Sequence, residues 1–137
     1  MQSLDSLRTD ALICRNSSLC ETRTNVVFCA GNPNAELMFV GEAPGAQEDL
    51  TGEPFVGRSG RLLTSLIEGI GLMRDQVYIS NVVKCRPPAN RDPDPSEVEA
   101  CAPIITSQIE HISPRVLVTL GNFATKLLLE TKTGITK

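Results

Sequence analysis

Three short apolar runs, at residues 37–41, 77–83 and 116–120, alternate along the chain with stretches of helical spacing. That alternation most constrains the fold. The second run, Val-Tyr-Ile-Ser-Asn-Val-Val, is nearly continuous in apolar and β-branched residues, as suits a sheet covered on both faces. After the first run, Leu62, Leu63, Leu66, Ile67 and Ile70 mark one face of a helix beginning near Gly60, with Gly71 as its stop. After the second, Ser96 and Glu99 match a capping box, and Val98, Ile105, Ile109 and Ile112 continue a stripe. Pro103 lies inside that stripe and is expected to bend the helix or disrupt its early turns. After the third come a Gly-Asn turn and a helix over 123–130. Strand and helix repeated three times predict a three-layer α/β/α fold with a parallel central sheet and right-handed crossovers. A short helix is expected over residues 1–13, with Leu4, Leu7 and Leu12 loosely periodic, and irregular chain over 14–36. Three strands make a thin sheet with an exposed edge. The 137 residues therefore read as one domain, 1–137, the N-terminal two-thirds of a fold incomplete at its C-terminus.

Net charge is −3, so the overall field does not draw in nucleic acid. Any such contact needs local patches: Arg58 and Arg61, or the run from Lys84 to Arg91. The competing reading is scattered surface charge. No segment is long and apolar enough to span a membrane, and the N-terminus lacks the pattern of a signal peptide. A cytoplasmic location is expected. Disulfides are uncommon there, so the five cysteines suggest metal ligands or buried thiols.

The chemistry concentrates where the first strand opens into Gly-Glu-Ala-Pro-Gly-Ala-Gln-Glu-Asp, residues 41–49. Such a loop puts main-chain N–H groups and carboxylates at the carboxyl end of a strand, where open α/β sheets bind ligands. Donors near Glu42 to Gly45 could contact a planar polar ligand or an anion. Glu42, Glu48 and Asp49 together could position water or accept ligand N–H groups. The plainer alternatives are a tight turn and first-turn helix carboxylates. Phe55, one of four phenylalanines beside a single tyrosine, sits in a polar, glycine-flanked loop. It could stack on a base or anchor the loop in the core. Asn81 ends the second strand, and its amide could pair with a pyrimidine edge or cap a turn. Cys14 and Cys20 with Cys85 and Cys101 could hold zinc or an iron–sulfur cluster, or remain buried thiols, since no C-x-x-C pair is present. His111, the one histidine, sits at a helix end where a dipole contact explains it.

Several long motifs occur together: Met-Phe-Val-Gly-Glu-Ala-Pro-Gly with Glu48-Asp49, Pro-Phe-Val-Gly-Arg-Ser-Gly, and Val-Tyr-Ile-Ser-Asn-Val-Val-Lys-Cys-Arg-Pro-Pro with Asn90-Arg91. With Cys101 beyond them, residues 14–137 resemble the family 4 uracil-DNA glycosylases, the iron–sulfur branch of their superfamily. The resemblance implies an enzyme that flips uracil from single- or double-stranded DNA and hydrolyses its N-glycosidic bond, leaving an abasic site. It implies that Gly41, Glu42 and Ala43 line the uracil pocket, with Glu48 as a possible addition. Glu42 would place water or stabilise the cationic sugar, Phe55 would stack on the ring, and Asn81 would read its edge. It implies a 4Fe–4S cluster on Cys14, Cys85 and Cys101, and a monomer. The family's second N-terminal ligand falls on Ser17, so Cys20, a turn further on, could substitute. The family's later His-Pro motif has no counterpart in this chain. An alternative is therefore a degenerate or truncated member that binds nucleic acid or uracil without catalysis. A phosphate-binding α/β protein of another kind is disfavoured, because neither G-x-x-x-x-G-K-[ST] nor a strand-borne G-x-G-x-x-G is present.

Overall fold

A computed structural model describes residues 4–12, 23, 25–86 and 95–120. The elements are α1 (Leu4–Leu12), β1 (Ala30–Gly31), β2 (Leu37–Gly41), α2 (Ala46–Thr51), α3 (Arg58–Gly69), a 3-10 turn (Arg74–Gln76), β3 (Tyr78–Asn81), α4 (Pro95–Ile112) and β4 (Val116–Thr119). The expected helix over 123–130 lies outside the described residues.

Four strands form one sheet in the order β1-β3-β2-β4. The three strands expected from the apolar runs are parallel, and Gly41 pairs with Asn81 at the carboxyl ends of β2 and β3. The sheet is not wholly parallel, however. β1 runs antiparallel along β3, with Ala30 opposite Ile79, and covers an edge that was expected to be bare. Two residues inside an irregular stretch carry no periodic signal, so the pattern could not have shown this strand.

Alternation along the strands sorts two cores. Phe39 and Ile79 face α3 through Leu63 and Ile67. Met38, Val40 and Tyr78 face α4 through Val98, Cys101, Ile105 and Ile109. This is the expected three-layer arrangement. The α3 stripe is narrower than predicted: Leu63 and Ile67 are buried, whereas Leu62, Leu66 and Ile70 point outward. The helix ends where expected, with the Gly71 and Leu72 N–H groups bonding back to Glu68 and Ile67.

At α4 the capping prediction fails. The helix begins at Pro95, so Ser96 lies inside it rather than capping it. Proline suits the first helical position, where its missing N–H costs nothing. The helix continues as a single element past Pro103. Among the described residues no helix is long and apolar enough to cross a membrane.

Candidate active site

The chain leaves β2 toward α3 on one face and leaves β3 toward α4 on the other. A crevice opens at the carboxyl ends of two parallel strands where their crossovers diverge. A cleft of about 530 Å³ occupies that place, lined by Gly41, Glu42, Ala43, Glu48, Phe55 and Asn81 among others. The structure thus gathers all the sequence-predicted pocket residues around one cavity.

Gly41 makes the convergence possible. A Cβ there would lie 2.4 Å from Cζ of Phe55 and 2.6 Å from Oδ1 of Asn81. Real carbon contacts sit near 3.5–4.0 Å, so any side chain would push ring and amide apart. Asn81 is 2% exposed, and its Oδ1 has no hydrogen-bond partner among the described residues. A buried acceptor left unpaired costs about 1–3 kcal/mol, which a ligand N–H could recover. One wall therefore offers an aromatic ring and the adjoining wall an acceptor in want of a donor.

Glu48 does not serve as the free carboxylate that the loop composition suggested. Its Oε1 accepts the Gly45 N–H, and its Oε2 accepts those of Val56 and Gly57, each at 2.9 Å. Burial raises its pKa, but the main-chain donors outweigh burial and leave the carboxyl below the usual range. Glu48 is an ionised brace joining the loop after β2 to the loop carrying Phe55. It also takes the Gly45 donor that was expected to meet an anion. Asp49 is buried and accepts the Asn25 N–H at 3.1 Å. Of the three carboxylates, Glu42 and Glu48 line the cleft, and Asp49 is turned into the structure.

Two cations missed by sequence reasoning support the walls. Arg74 donates from Nη1 to the Phe55 carbonyl and from Nη2 to the Pro54 carbonyl, both at 2.9 Å. Lys84, taken from sequence as part of a surface patch, is 1% exposed and lies behind the sheet. Its ammonium donates to the Asn81 carbonyl at 2.8 Å, to the Phe28 carbonyl, and to the Ser80 and Gln108 side chains. Burial pushes its pKa down to about 7, against the opposing charge of Cys29, Cys101 and Cys85. The sequence signal was faint: Lys84 follows an apolar run with no turn residue between them. Of the predicted patch, Arg58 and Arg61 are exposed, and Arg58 borders the cleft.

Cys85 and Cys101 are buried in one core, and Arg23 donates to the Cys85 sulfur at 3.1 Å. Cys14, Ser17 and Cys20 lie outside the described residues. His111 donates its Nδ1–H to the Ser107 carbonyl at 2.9 Å within α4, as the dipole reading expected of a helix-end residue.

The profile of the Uracil DNA glycosylase superfamily matches residues 28–137. The chain is 53% identical over 128 residues to a type-4 uracil-DNA glycosylase of Archaeoglobus fulgidus, covering 93% of this chain and 64% of that one. It is 50% identical over 125 residues to the type-4 uracil-DNA glycosylase of Thermotoga maritima, covering 90% and 65%. A type-5 uracil-DNA glycosylase of Thermus thermophilus is 35% identical over 114 residues, covering 72% and 52%. The chain thus spans less than two-thirds of the length of these relatives. By the profile match over residues 28–137 and the identity to these relatives, the chain belongs to the uracil DNA glycosylase superfamily.

Proposed function

We propose that the full-length protein is a uracil-DNA glycosylase of the type-4 kind. It takes uracil flipped out of single- or double-stranded DNA and hydrolyses the N-glycosidic bond, leaving an abasic site. The observation that carries this reading is the Asn81 Oδ1, unpaired among the described residues, beside the Phe55 ring, both converging over Gly41. Uracil offers what that corner lacks: a flat π-face and a ring N–H next to a carbonyl.

In this reading Phe55 stacks on the base and the Asn81 amide pairs with its N3–H and O4 edge. Gly41 and Ala43 form the floor. Glu42, at the cleft wall, orients water or offsets the positive charge developing on the sugar as the bond breaks. Glu48 keeps the stacking loop in register with the floor. Arg58, exposed at the rim, meets a phosphate of the strand.

For the 4Fe–4S cluster associated with the type-4 enzymes, the described thiols fit in part. Cys85 and Cys101 share one core, and the Arg23 guanidinium donates to the Cys85 sulfur. Cys14 and Cys20, or Ser17 in place of the latter, would complete the set. A cluster held by these residues would cross-link the chain segments that carry them. We further propose a cytoplasmic monomer acting on uracil-containing DNA.

The test is abasic-site formation by the full-length protein on a uracil-bearing oligonucleotide, single-stranded and paired. Uracil release is expected on both. A folded, cluster-loaded protein that yields no product overturns the reading, and uracil binding without product points to the non-catalytic alternative.

A further inference from the structure

The loop bearing Phe55 is held in an unusual way. Phe55 has φ of 55°, a left-handed conformation that a bulky residue adopts only when its surroundings impose it. Four consecutive residues supply the grip. The carbonyls of Pro54 and Phe55 accept from Arg74, and the N–H groups of Val56 and Gly57 donate to Glu48. From below, the first turn of α3 presses against the same peptide: a Cβ at Gly60 would lie 1.9 Å from the Phe55 carbonyl oxygen. Arg74 also donates to the Thr64 hydroxyl of α3 at 3.3 Å. It stands in the 3-10 turn that leads directly into β3, the strand that ends in Asn81.

We infer that Arg74 is a positioning residue for base recognition, fixing the Phe55 ring at a set distance from the Asn81 amide. The inference rests on the glycosylase reading for its functional consequence. Its structural logic is that ring and amide belong to different loops, yet Arg74 ties the ring to the strand that carries the amide. The guanidinium fork spans two successive carbonyls, which a lysine ammonium cannot do with the same geometry. Arg74 lines a cleft of its own on the far side of the Phe55 loop, so it does not touch the base.

Two measurements on the full-length protein test this. In Arg74→Met, the proton NOE between the Phe55 ring and the Gly41 α-hydrogens is expected to weaken, whether or not the protein cleaves uracil. Competitive inhibition by free uracil is expected to weaken about tenfold or more, the scale of losing charged hydrogen bonds. In a Phe55→Ala background, Arg74→Met should add nothing, because its effect runs through the ring. Arg74→Gln, which keeps a donor, should fall between and serves if the methionine variant does not fold. An unchanged NOE, or losses that multiply in the double variant, overturns the inference. Absence of uracil release by the wild type, with the NOE changing as expected, would instead overturn the glycosylase reading and leave the loop's anchoring intact.

Discussion

Gly41→Ala is the sharpest test of the cleft. The new methyl would stand 2.4 Å from Phe55 Cζ, 2.9 Å from Cε2 and 2.6 Å from Asn81 Oδ1. Restoring ordinary contact near 3.5–4.0 Å requires the ring to retreat by about 1–1.5 Å. The ring has little freedom to do so, because its backbone is held by Arg74 and Glu48. Overpacking of this kind costs about 1–3 kcal/mol, and each kcal/mol lowers Tm by roughly 3–4 °C for a chain of this size. Function should suffer more than stability, since a displacement of about 1 Å at a reacting centre can cost on the order of a hundredfold in rate. The assay is kcat/KM for uracil release from an oligonucleotide, set beside inhibition by free uracil and calorimetric Tm. Activity and uracil inhibition within about twofold of wild type would refute the reasoning, because ring and amide could then not converge as described.

Asn81→Ala removes the buried acceptor that has no partner among the described residues, so Tm should hold or rise while uracil release falls by about two to three orders of magnitude, checked by calorimetry and the oligonucleotide assay. Glu48 has a folded pKa below its ordinary value, so its stabilising contribution is complete above about pH 4.5 and is lost as pH falls through the folded value. Melting followed from pH 6 downward should therefore show an acid-side decline that Glu48→Gln flattens, together with a lower Tm for that variant at pH 7. Lys84→Met takes the ammonium donor from the Asn81 carbonyl, while the Phe28 carbonyl and Gln108 Oε1 keep donors in Ser80 and Gln108, and chemical denaturation should show a loss of about 1–3 kcal/mol.

The layers of this fold were legible because their signals are periodic. Phe39 and Met38 alternate across β2, and Leu63 and Ile67 repeat along α3, so strand and helix each announced a buried face. What escaped was non-periodic. β1 is too short for a pattern, and Pro95 took the helix start from Ser96 because a residue without an N–H suits that position. The pocket residues were legible from motifs, since a glycine, an aromatic and an amide stand at strand ends or in tight loops. Their supports were not. Arg74 is an ordinary surface-type residue in sequence, and only its fork on two distant carbonyls gives it meaning. Lys84 was misread because lysine is almost always solvated, and only four oxygen acceptors in the core make its burial tolerable.

β3 carries a consequence for how this chain can vary over generations. Its residues interleave two tasks: Tyr78 and Ser80 meet Gln108 behind the sheet, while Ile79 packs toward α3 and Asn81 opens into the cleft. A substitution can alter one task and spare the other. A deletion or insertion of one codon inside the strand cannot, because it would exchange the faces of every residue beyond it. Asn81 would turn toward α4 and its neighbour would take the cleft. Length in this segment is therefore expected to be held more tightly than identity, and a library of single-codon deletions should find no functional survivor between Tyr78 and Asn81.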